Sequence, residues 1–113
     1  MTTPSFAEMI SMLQLTYLKA KKNADEKLMN NDFWYVIDHL QNDKLHIWCM
    51  RMLKKKDIIQ DNNFIKICNI LTEWEQYKSW TTKQKRYLAM ILINNWDKVT
   101  LEYPWHVSSE YSY

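Results

Sequence analysis

Thr81-Thr82-Lys83-Gln84-Lys85-Arg86-Tyr87-Leu88-Ala89-Met90-Ile91-Leu92-Ile93-Asn94-Asn95-Trp96 is the stretch on which the fold turns. A threonine at 81 or 82 offers a short side-chain acceptor to the orphan N–H groups of a first helical turn. Behind it Tyr87, Leu88, Ile91, Leu92 and Trp96 recur at helical spacing, and from Tyr87 to Ile93 the segment is apolar nearly all round. A helix without a polar face must be enclosed by other helices, so this one is expected at the centre of a bundle.

Upstream, Ser5 with Glu8 three residues later has the spacing of a capping box. Phe6, Met9, Ile10, Leu13, Tyr17 and Ala20 then follow a 3.6-residue period, predicting a helix from Ser5 to Lys22. Leu15 and Leu18 fall off that stripe, which calls for a widened buried face or contact with a second chain. The polar run 23–31 either continues this helix or breaks it. Asn31 or Asp32 can cap a second helix with Phe33, Val36, Ile37 and Leu40 inward. Asp43 can open a third with Leu45, Trp48, Cys49, Met52 and Leu53, closed by Lys54 to Lys56 at the negative end of its dipole. Ile58-Ile59 anchors a turn, and Asn62 or Asn63 opens a fourth helix through Phe64, Ile67, Cys68, Leu71 and Trp74. Asn30-Asn31-Asp32-Phe33 echoes Asp61-Asn62-Asn63-Phe64, a similarity that common capping chemistry accounts for.

The 113 residues contain no glycine and two prolines. Without glycine there is no phosphate-cradling loop, no nucleophile elbow and little prospect of tight primed hairpins, so nucleotide folds and all-β designs fall away. Hydrophobic residues make up 47% and charged ones 25%, a globular balance that excludes wholesale disorder. The expected architecture is all-α: one domain over 1–113, with about five helices in a compact bundle (1–99) and an irregular aromatic tail (100–113).

The longest apolar run, Leu88 to Ile93, is six residues, far short of the roughly 18–20 of a membrane span. No signal-peptide pattern precedes Pro4. A cytoplasmic protein with reduced thiols is expected, in the host-cell cytoplasm if phage-encoded. Cys49 and Cys68 lie 19 apart with no CxxC spacing, and a disulfide would require two helices to bring them together. His39, His46 and His106 lack the spacing of a metal site, and surface histidine is the simpler reading. His39, His46 and Asp38 could form an active site only if the fold assembled them. Cys49 three residues after His46 is better placed as core than as a nucleophile. No catalytic residue, cofactor, metal or small-molecule site is assigned, and no enzymatic activity is expected.

The net charge of +2 is small, but it is unevenly spread: residues 44–98 carry eleven Lys/Arg against five acids, and both ends are acidic. Lys83, Lys85 and Arg86 open a helix against its positive dipole end, a placement that needs an explanation. One is contact with phosphates, as at the second helix of a helix-turn-helix, with residues 82–87 facing nucleic acid. The other starts from six tryptophans and seven tyrosines. Trp34, Tyr35, Trp48 and Trp74 are assigned to the core. Tyr77, Trp80, Tyr103, Trp105, Tyr111 and Tyr113 fall in turns or tail, where some must be exposed, and Trp and Tyr are interface anchors. A protein partner is favoured over nucleic acid, together with a homo-oligomer, through a patch of Trp80, Lys83, Lys85, Arg86, Tyr87 and Trp105. The small size and Lys/Asn/Ile-rich composition have the style of a phage or mobile-element accessory protein that inhibits a host defence or host enzyme by covering its surface.

Overall fold

In the computed structural model, residues 4–55, 57, 59 and 61–111 are described, all but the side chains of 61 and 108–111 included. They form seven α-helices and no strand: α1 (Phe6–Lys22), α2 (Asn31–Asp38), α3 (Asn42–Leu53), α4 (Asp61–Tyr77), α5 (Thr82–Asn94), α6 (Trp96–Glu102) and α7 (Pro104–Tyr111), with a 3₁₀ turn at Glu26–Leu28. The Cα radius of gyration is 13.9 Å, close to the ~13 Å of a compact domain of this length.

Helix α5 is the hub, packing against α1, α2 and α3. Its Leu88, Ala89, Leu92 and Ile93 are buried with Ile10 of α1, Ile37 of α2 and Leu45 and Trp48 of α3, in a core that also takes in Ile67 and Leu71 of α4 and Trp96 and Val99 of α6. The apolar circumference read from the sequence is thus met by neighbours on several sides. Within this core, the Trp96 ring meets Trp48 edge-on at 4.8 Å, and its Nε1 donates to Ser11 Oγ at 3.0 Å. Gln14, the buried polar side chain of α1, donates from Nε2 to the Ile93 carbonyl at 3.1 Å, satisfying an acceptor in the last turn of α5.

Several helix starts obey local chemistry. Ser5 and Glu8 form a reciprocal capping box on α1, as do Thr81 and Gln84 on α5. The cap of α2 is Asn30, one residue before the expected Asn31 or Asp32: its Oδ1 accepts from the N–H groups of Asp32 and Phe33. Helix α3 begins at Asn42 after Gln41, which makes no side-chain cap, so Asp43 lies inside the first turn. Helix α4 begins at Asp61, placing Asn62 and Asn63 within it. Ile59 is buried as a turn anchor should be; Ile58 lies outside the described residues.

Two expectations are refined and a third needs correction. There are more than five helices, because Asn95 ends α5 and starts α6 within a single residue, a corner too tight for periodicity to register. Within the stretch expected as an irregular tail, the described residues after Tyr103 form a further helix, Pro104–Tyr111. Pro104 is the first residue of α7, where its missing N–H costs nothing and its fixed φ suits a helix. Tyr35 is not core: it is 63% exposed and stacks on His39 at 4.1 Å.

Without glycine, left-handed turns fall to other residues. After α1, Ala24 sits at φ 50°, with its N–H on the Lys21 carbonyl and that of Asp25 on the Ala20 carbonyl, the two bonds of a Schellman motif. Lys78 ends α4 at φ 53° with its N–H on the Trp74 carbonyl at 2.8 Å. An L-residue with a Cβ is disfavoured there by roughly 1–2 kcal/mol, partly offset in glycine by its greater unfolded-state freedom. Ala24→Gly is therefore expected to stabilise the protein by about 0.5–1 kcal/mol, seen as a rise of a few degrees in the thermal midpoint. No rise would mean that the turn relaxes without strain.

Candidate protein-interaction site

The cations at the start of α5 do have an explanation within the fold. Helix α2 ends with carbonyls that lack intrahelical partners, and α5 packs beside it. Lys85 Nζ donates to the Asp38 carbonyl at 2.9 Å and the Leu40 carbonyl at 2.6 Å. Arg86 grips the Asp38 carboxylate with both arms of its guanidinium, Nε to Oδ1 at 2.9 Å and Nη2 to Oδ2 at 2.7 Å, while lying 5.1 Å from the Trp34 ring. Positive charge at the head of one helix is thus balanced by the negative end of another.

Electrostatics follow this geometry. The hydrogen bonds from Arg86 hold the Asp38 carboxyl below the usual range against the opposing effect of burial, and the charges of Arg86 and Lys85 assist. Burial draws the Lys85 ammonium below its ordinary value, with Asp38 opposing. A carboxylate with a depressed folded-state pKa contributes stability that is present above its unfolded pKa of about 3.9. That contribution is lost as pH falls through the lower folded value. Wild-type protein is expected to lose thermal stability more steeply below about pH 4 than Asp38→Asn. Parallel acid profiles for the two would contradict the role assigned to Asp38.

The other proposed contact residues divide in two. Trp80 Nε1 donates to the Ile70 carbonyl at 3.0 Å and the ring lies against Trp74 at 4.9 Å, so this half-buried indole closes the α4–α5 turn. Tyr87 donates its hydroxyl to Asn63 Oδ1 at 3.1 Å beneath the ammonium of Lys66, 4.1 Å from the ring, and burial pushes its pKa up. Lys83 is exposed beside the Thr81 cap. Trp105 is 83% exposed on α7, which packs against α1 and α6. The six residues therefore do not make one outward patch: Trp80, Lys85, Arg86 and Tyr87 join α5 to α2 and α4, leaving Lys83 and Trp105 outward on separate elements.

What sequence reasoning missed is Leu101, 80% exposed and four residues before Trp105 across the α6–α7 corner. With 100–113 read as irregular, nothing marked it. Close by in sequence, Glu102 pairs with Lys55 at 3.1 Å, and Tyr103 packs on the core. Tyr77 is exposed as expected; the Tyr111 side chain and Tyr113 lie outside what is described.

The histidines are dispersed. His39 Nδ1 lies 2.9 Å from the Tyr35 carbonyl, His46 Nε2 lies 3.3 Å from Glu75, and His106 lies edge-on to Trp48. Among the described residues no three His, Cys, Asp or Glu side chains are grouped to hold a metal. Both cysteines are free thiols; burial pushes that of Cys49 far up, away from the nucleophilic thiolate. Among the described residues no helix is long and apolar enough to cross a membrane. No protein-family model matches this chain, and no curated protein or solved structure matches it.

Proposed function

We propose that this protein acts by binding another protein, with Trp105 and Leu101 at the α6–α7 corner as its anchors. The supporting observation is Trp105 itself, 83% exposed on a helix held to the body of the protein. Tryptophan is the residue most enriched in interface hot spots, because a large rigid surface leaves water at small entropic cost. The mode of action is occlusion: the corner fills a pocket on the partner and the rest of the helical surface covers what lies beside it. Inhibition of a host enzyme or defence by a phage or mobile-element protein is the setting that fits this mode and the chain's small size.

The nucleic-acid reading loses its main support, since Lys85 and Arg86 are committed to α2. Affinity capture followed by purification of the retained protein tests the proposal. Trp105→Ala is expected to weaken binding of that partner at least tenfold, about 1.4 kcal/mol, without changing the thermal midpoint. Binding unaffected by both Trp105→Ala and Leu101→Ala would overturn it. So would salt-dependent retention of an oligonucleotide in place of any protein, abolished in Lys83→Ala.

A further inference from the structure

The outer face of α1 presents three large apolar side chains to solvent, with exposed Lys19 beside them. Met12 is 62% exposed, Leu15 70% and Leu18 44%. These are the off-stripe leucines and a methionine one turn before them, flanked by Glu8 in the first turn of the helix and Lys22 in its last. Their order is symmetric about Leu15. Glu8 and Lys22 lie seven residues either side of it, each within about 20° of it around the helix, and Met12 and Leu18 lie three either side at about 60°.

We propose that this face binds a second copy of the same chain, two α1 helices pairing antiparallel about a two-fold axis at Leu15. In that arrangement Leu15 meets Leu15 of the other copy, Met12 lies level with the other copy's Leu18, and each Glu8 faces a Lys22. The two helix dipoles oppose, which is favourable. Parallel pairing would set Glu8 against Glu8 and Lys22 against Lys22, so the charges select the antiparallel form. A two-fold interface must be self-complementary in this way. Glu8 also serves the Ser5 cap through one carboxylate oxygen at 3.4 Å, which fixes its position at the end of the patch.

The contact is modest. A helix of 17 residues is roughly 26 Å long and about 10 Å wide, well below the ~800 Å² per partner of a standard stable complex. The dimer is therefore concentration-dependent and dissociates on dilution. It involves residues other than Trp105 and stands whether or not that residue anchors a foreign partner.

Sedimentation velocity on the full chain from 10 to 500 µM, taken as roughly the range that brackets a weak dimer, provides the test. The weight-average mass of wild type is expected to rise from 13.9 kDa toward twice that value. Leu15→Glu, which places two carboxylates on the axis, should stay monomeric throughout. Lys22→Glu should weaken association at least tenfold, and Trp105→Ala should leave it unchanged. All are changes at exposed positions, and cooperative melting establishes that each variant is folded, with Lys22→Glu melting slightly lower for its negative charge at the helix C-terminus. A wild-type mass that stays at 13.9 kDa across the range would overturn the proposal. Association of Leu15→Glu equal to wild type would do the same, as would association lost in Trp105→Ala but kept in Leu15→Glu.

Discussion

Trp48→Ala is expected to lower the unfolding free energy by about 3–5 kcal/mol, most or all of what a domain of this size commonly has. Trp48 is wholly buried. Its ring meets Trp96 at 4.8 Å and carries the Arg51 guanidinium 4.6 Å from its centre, with His106 of α7 at 6.4 Å. Truncation removes the apolar area and leaves a void that α3, α6 and α7 can only partly fill. It also removes the aromatic edge and cation contacts, which the area term does not count. Urea titration followed by circular dichroism should show either a midpoint shift of that size or no folded baseline. Trp34→Ala, at a half-buried position on α2, should cost less. A loss below about 1 kcal/mol at Trp48 would mean that the core around α6 is not packed as described.

Lys85→Met is expected to cost about 1–3 kcal/mol, although lysine to methionine is ordinarily mild at a half-exposed position. Methionine keeps most of the stem but offers no donor, so the carbonyls of Asp38 and Leu40 lose the ammonium that satisfies both. Removing the burial penalty on the charge offsets part of the loss, which favours the lower half of the range. Lys83→Met two residues earlier is the control. Lys83 is exposed, and the change should fall within about 0.5 kcal/mol of wild type. Equal effects at 83 and 85 would remove the structural role given to the cationic helix start and return it to the candidates for an external anion.

The contrast between these two lysines shows what a sequence can and cannot disclose. The anomaly at 83–86 was legible, because cations at a helix head oppose its dipole whatever the fold. Its resolution was not: the acceptors stand 45 and 47 residues earlier, and no periodicity links them. The boxes at Ser5–Glu8 and Thr81–Gln84 were readable for the opposite reason, since all their partners lie within one turn. Pro104 does not by itself announce α7, because a proline that ends one helix and a proline that begins the next look alike in sequence. In the sequence Leu15 and Leu18 show only as departures from a stripe; their exposure, and the symmetry of charge around them, need the fold to show which side of α1 is covered.

The distribution of the six indoles also makes the molecule its own optical reporter. Trp48 and Trp96 are buried, while Trp34, Trp74 and Trp80 are partly covered. Trp105 alone has most of its ring in water. Its emission should lie furthest to the red and be the first quenched by iodide. Anything that seats on the α6–α7 corner should shift that component to the blue and protect it from quencher, with no added label. Pairing through α1 should leave it where it was, so one spectrum separates the two kinds of encounter.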